Sequence, residues 1–160
     1  MKNDKENSNA YDAAQKQLAR RDMSESALRA SLVKAGYSVD DIDPAVQRLI
    51  ERKLIDDLKS ARRIVELHMN AERGRLAFAR LLKSKGFKRE VIEAALEPLD
   101  YNQQTESAAR LKQRLKGRYA GKPAREIKAK LSQALSRRGF AWDVISRVMD
   151  NEEQAAGYGR

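Results

Sequence analysis

Apolar residues recur at spacings of three and four along almost the whole of this 160-residue chain. Leu28 and Leu32 lead into Gly36, and Ile42, Val46 and Leu49 follow it. Phe78 and Leu82 lead into Gly86, with Ile92, Leu96 and Leu99 beyond. Leu131 and Leu135 lead into Gly139, followed by Ile145 and Met149. Each set falls along one face of a helix, and no stretch alternates strictly enough to be a strand. The glycines lie in one recurring phrase. An aliphatic residue precedes each by four; an aromatic (Tyr37, Phe87, Phe140) follows it, then an acid at four (Asp40, Glu90, Asp143) and isoleucine at six.

That phrase predicts a helix–glycine–aromatic–helix turn. A residue just past a helix end often adopts the left-handed conformation, which glycine enters without a Cβ clash, so Gly36, Gly86 and Gly139 are the expected structural turns. The aromatic residue packs back on the last turn, and the acid suits the first turn of the next helix. Ser38 is an expected N-cap for one such helix, whereas Lys88 and Ala141 offer no capping side chain. A further helix precedes each pair, marked by Ala14 and Leu18, by Ala61, Ile64, Val65 and His68, and by Ala108, Leu111 and Leu115. Ser24 is an expected N-cap, Gly74 a break, and Pro123 a first-turn residue. The expected fold is all-α: three tandem three-helix repeats (10–56, 57–100 and 101–150) in an elongated, curved array, with flexible tails at 1–9 and 151–160.

Composition narrows the function classes. The chain is 41% hydrophobic but only 6% aromatic, so the core is aliphatic. It has no cysteine, which removes disulfides and thiolate metal sites. The polar start "MKNDKENSNAYD" lacks a signal peptide's apolar stretch, and no segment approaches the ~20 apolar residues of a membrane span, so a cytoplasmic protein without membrane contact is expected. The net charge of +10 is unevenly spread: ten Lys/Arg against ten Asp/Glu in 1–56, ten against seven in 57–100, thirteen against six in 101–160. A gradient of 0, +3 and +7 points to a polyanion at the C-terminal end, or to a merely solvated surface.

Candidate chemistry is sparse. His68 stands among Ile64, Val65 and Leu67 and reads as a structural histidine; with no cysteine it cannot build a Cys–His or zinc constellation. No phosphate-cradling glycine loop is present. Asp40–Asp41–Asp43 and Asp56–Asp57 read as helix-start carboxylates rather than a magnesium site. No catalytic residue, cofactor or metal is expected. The post-glycine helices carry acids that would oppose phosphates, which argues against a major-groove helix-turn-helix. Arg110, Arg114 and Arg118 fall at i, i+4 and i+8, opposite Ala108, Leu111 and Leu115, and Lys122, Arg125 and Lys128 continue the positive surface. These six are the candidate partner- or DNA-binding residues, suited to backbone contact rather than base reading.

Three segments, in order and spacing, resemble the RecX family, which regulates RecA recombinase: "LARRDMSESALRASLVKAGYS" (18–38), "LIERKLIDD" (49–57) and "GRLAFARLLKSKGF" (74–87). The similarity covers roughly residues 10–150. It departs at Ser60, where the family usually has an aromatic residue before Ala61, and at Ala27, where it usually has Glu. The resemblance implies a non-catalytic modulator that lodges in the helical groove of the RecA–DNA filament, bridges its subunits and restrains recombinase, ATPase and coprotease activity in DNA repair and the SOS response; a monomer is expected. The alternative is an autonomous, sequence-independent DNA-binding or architectural protein. Weak DNA binding fits both readings.

Overall fold

Each glycine phrase closes one helix and opens the next. In the computed structural model, which describes residues 9–157, the elements are α1 (Ala10–Leu18), α2 (Glu25–Lys34), α3 (Val39–Glu51), α4 (Asp57–His68), α5 (Arg75–Ser84), α6 (Arg89–Leu96), α7 (Tyr101–Lys116), α8 (Ala124–Arg137) and α9 (Trp142–Gly157). Two short 3₁₀ turns, Met69–Ala71 and Gly117–Tyr119, complete the secondary structure of the described residues, which contain no strand. The chain is all-α.

The three turns share one hydrogen-bond scheme. Gly36, Gly86 and Gly139 are left-handed, with φ of +96°, +82° and +82°. Each glycine N–H reaches back to Val33, Lys83 or Ser136, and the next N–H (Tyr37, Phe87 or Phe140) to Leu32, Leu82 or Leu135. Two carbonyls that a helix end would leave open are thereby satisfied. Ser24 and Ser38 cap α2 and α3 as their side-chain chemistry dictates, accepting from Ala27 N–H and Asp41 N–H. Pro123 sits at the N-cap of α8, one position ahead of the expected first turn, its extended backbone (ψ 141°) turning the chain into the helix. Asn9 caps α1 through Asp12 N–H. At the other end α9 continues through Gly157, past the boundary at 150, because Glu152, Glu153, Gln154 and two alanines favour helix and no breaker intervenes. The rest of the two expected tails, residues 1–8 and 158–160, lies outside the described residues.

The chain divides into two compact units, one holding the chain through Ile64 with Leu82–Ala95, the other Val65–Leu81 with the chain from Leu96 onward. The first unit's core joins Tyr11 and Ala14 of α1, Leu28 and Leu32 of α2, and Ile42, Val46 and Leu49 of α3. The guanidinium of Arg48 covers the Tyr11 ring at 4.4 Å. In the second unit Ala108, Leu111 and Leu115 of α7 pack with Leu131 and Leu135 of α8, Phe140, and Val144, Ile145 and Val148 of α9. Fully burying one such leucine contributes about 1.5–3 kcal/mol, so these aliphatic stripes carry most of the stability.

Each unit also contains a joint in which a glycine turn docks on the start of another helix. In the first unit Ser24 Oγ donates to Lys85 O at 2.7 Å, while Asp57 Oδ1 accepts from Glu25 N–H at 2.8 Å. In the second, Gly74 N–H donates to Arg138 O at 2.8 Å and Leu76 N–H to Gly139 O at 3.0 Å, while Gln104 Oε1 accepts from Arg75 N–H at 2.6 Å. The scheme repeats: the carbonyl just before a docked glycine meets the N-cap residue, and a side chain from α4 or α7 meets the first N–H of α2 or α5. The second joint is the tighter. A Cβ on Gly74 would lie 2.1 Å from Gly139 O, and one on Gly139 would lie 2.4 Å from Ala77 N. A Cβ on Gly36 would meet nothing within 4 Å.

The glycines are therefore graded in tolerance. Gly36→Ala should cost about 1 kcal/mol, the strain of a left-handed alanine alone. Gly86→Ala should cost more, since its Cβ lies 3.0 Å from Ser24 Oγ. Gly139→Ala should cost about 3 kcal/mol or more, because backbone atoms must also move. Urea denaturation of the three variants checks the order. At the first joint, burial pushes the Asp57 carboxyl above its ordinary pKa, with the hydrogen bond from Glu25 N–H pulling the other way. A raised folded-state value means that this group's stabilisation is fully present in acid and is lost as pH rises through that value. Asp57→Asn keeps the acceptor and should be neutral or stabilising near neutrality, an advantage that closes by about pH 4. Asp57→Ala should cost about 1 kcal/mol throughout. Urea midpoints at the two pH values measure both.

Candidate basic interface

The third repeat gathers the excess positive charge because its helices bury one face and leave the other polar. Along α7 the apolar side is closed against α8 and α9, so Arg110 and Arg114, one turn apart, are driven to the exposed side. The expected stripe does not continue unbroken. The α-helix ends at Lys116, and Arg118 lies in the following 3₁₀ turn, where three residues rather than 3.6 complete a turn. The four-residue spacing that aligns Arg110 with Arg114 thus does not carry to Arg118. Lys122 lies in the loop before α8, beside the left-handed Gly121, while Arg125 and Lys128 are exposed on α8. All six expected residues belong to one unit and all are exposed.

Acids reduce the field of this surface. Arg114 donates from Nε to Glu72 Oε2 at 3.0 Å, with a second hydrogen bond from its terminal nitrogen, and this pairing raises its pKa above the usual guanidinium value. Lys122 Nζ is 3.0 Å from Glu126 Oε1, and Lys130 Nζ is 3.7 Å from the same oxygen. Together they hold the Glu126 carboxyl below its ordinary range, the Lys122 hydrogen bond contributing most. Among the described residues Arg110 has only a marginal acidic partner, Glu106 at 4.0 Å.

The same unit holds cations that the local pattern did not single out. Arg73 and Arg138 flank the second joint, and the Arg138 guanidinium donates to Ala71 O at 3.1 Å. Arg75, by contrast, is consumed structurally, its guanidinium donating to Leu96 O and, at 3.4 Å, to Leu99 O. The phrase "ERGR" (72–75) marked a break at Gly74 but not its approach to α7, because that contact spans about thirty residues of sequence. The acids set aside as helix starters have such roles. Asp41 accepts from Ser38 Oγ, Asp43 pairs with Arg29 at 2.5 Å, Asp56 caps α4 through Lys59 N–H, and Asp57 serves the first joint. Among the described residues no three carboxylate or imidazole side chains converge as a metal site would require. Nor is any helix among them long and apolar enough to cross a membrane.

Comparison with known proteins places this geometry. Residues 102–149 match the model of the third three-helix domain of RecX, and residues 10–49 that of the first. The regulatory protein RecX of Mycolicibacterium smegmatis is 37% identical over 137 residues, covering 79% of this chain and 72% of the relative. That of Vibrio parahaemolyticus is 31% identical over 147 residues, covering 89% and 91%. The crystal structure of RecX from Lactobacillus salivarius superposes with a TM-score of 0.85 at 25% identity, covering 91% of this chain and 95% of that one.

The acids that mask the surface generate a prediction. Glu72→Gln and Glu126→Gln should each release a cation and raise the salt concentration at which the protein elutes from heparin, without lowering its melting temperature. Heparin chromatography with thermal melts of both variants is the measurement.

Proposed function

The chain belongs to the RecX family of regulatory proteins, and from that premise we propose that it binds the RecA recombinase filament and restrains recombinase, ATPase and coprotease activity. It does so without chemistry of its own, as a cytoplasmic monomer with no cofactor, seated in the helical groove of the filament. Its modules are the three repeats 10–56, 57–100 and 101–150. The exposed basic face of the third repeat is the observation that carries the reading: Arg110, Arg114 and Arg118, with Lys122, Arg125 and Lys128, hold the protein against the acidic filament surface or its DNA. Sequence-independent charge contact of this kind positions a protein without selecting a base sequence.

The charge asymmetry also favours a second reading, an autonomous DNA-binding or architectural protein. Order of addition and salt dependence separate the two. A modulator of the filament acts at concentrations too low to coat the DNA, whereas an autonomous binder acts on naked DNA with steep salt sensitivity.

Changing Arg110, Arg114 and Arg118 together to alanine should leave the melting temperature nearly unchanged, since all three are exposed. Inhibition of RecA ATPase should weaken, with a shallower salt dependence because fewer counterions are released. The matching triple change at Lys16, Arg20 and Arg29 in the near-neutral first repeat should matter less. RecA ATPase titrated with each protein at several salt concentrations is the test, and unchanged inhibition by the third-repeat variant refutes the assignment.

A further inference from the structure

Within the second unit a recess of 220 Å³ lies between the 69–78 segment and α7, and two guanidinium groups, Arg73 and Arg110, line it. Arg73 is partly buried and has no acidic partner among the described residues. Arg110 has, among the described residues, only the 4.0 Å contact with the carboxylate of Glu106, which also lines the recess. The carboxamide of Gln103 adds a neutral hydrogen-bonding group. The apolar part of the lining comes from Met69, 43% exposed, and from the buried Phe78 and Leu99. Two arginines against one marginally placed carboxylate leave the recess with an excess positive charge. Guanidinium groups next to a carboxylate of their own normally pair closely, because charge-assisted hydrogen bonds are the strong ones. Here one is unpaired and the other held at the limit of contact.

We infer that this recess receives an acidic side chain, presented beside an apolar one, from a peptide segment of a partner protein. The volume suits one or two side chains. Its mixed lining suits a carboxylate set against the arginines and a short aliphatic group set against Met69. A nucleic-acid backbone fits less well, because its phosphates carry no aliphatic group to set against Met69 and Leu99. The inference deepens the proposed function and rests on that reading for the existence of a protein partner.

The test uses the full chain labelled with ¹⁵N-arginine, so that the Nε–H resonances of Arg73 and Arg110 report on the recess directly. The probe is an acetylated peptide with glutamate between two leucines and glycine at both ends; the controls are its glutamine counterpart and an oligothymidylate. The glutamate peptide should shift both resonances, and the glutamine peptide should not. Arg73→Ala or Arg110→Ala should weaken the peptide about tenfold while melting as the parent does. Glu106→Gln should tighten it about threefold by removing a like charge. Equal shifts from both peptides, resonances that do not move, or stronger shifts from oligothymidylate would each overturn the inference. A protein that restrains RecA while its recess ignores the peptide refutes the recess alone. One that binds the peptide at Arg73 and Arg110 but leaves RecA untouched refutes the proposed function alone.

Discussion

A helix begins with N–H groups that have no partner within the helix, and in this protein α2 and α5 obtain theirs from residues far along the chain. Glu25 N–H depends on Asp57, and Arg75 N–H depends on Gln104. Both donors are half-buried, so each helix start gains from the side chain that meets it, by about 1 kcal/mol for an ordinary hydrogen bond. The aliphatic stripes explain why each repeat forms three helices. The joints tie the start of one repeat's second helix to the glycine turn of the next.

This dependence also sets the surface. At the second joint the glycine turn brings Arg138 toward Ala71 and leaves Glu72 left-handed at φ +48°, where its carboxylate meets Arg114. A contact made to satisfy backbone groups thus decides which cations of α7 are masked and which are open. Arg73 stands beside the recess without an acid among the described residues while its sequence neighbour Glu72 is engaged by Arg114. Packing and electrostatics are coupled here through a few backbone hydrogen bonds rather than through a dedicated charge network.

Features that depend on neighbours in sequence were legible in it. The left-handed glycines, the aromatic that follows them, and the serine caps at 24 and 38 all involve partners within five residues, so the local pattern defines them. Helical faces were equally plain, because Leu28 and Leu32, Phe78 and Leu82, and Leu131 and Leu135 are each spaced by one helical turn. The joints were not. Gly74 could be read as a break, but nothing near it discloses that Gly139 will lie against it. Asp57 likewise reads as the start of its own helix until its distant partner is known. On the basic surface the residue types and their exposure were foreseeable, whereas the 3₁₀ turn that carries Arg118 was not. The pairing of Arg114 with Glu72 crosses repeats and has no local signal.

The two joints have the same plan but different parts, and this constrains how the gene could have grown. At the first, a serine hydroxyl spans the gap to Lys85; at the second, two backbones touch and leave no space for any side chain. A copy of α4–α6 inserted after itself would set Gly74, which lacks a hydroxyl, against a Lys85–Gly86 turn that requires one. Exchanging the first repeat for the second would set the Ser24 side chain against a surface with no space for it. The repeats are keyed to their positions, so lengthening, shortening or reordering the chain by whole repeats would break a joint.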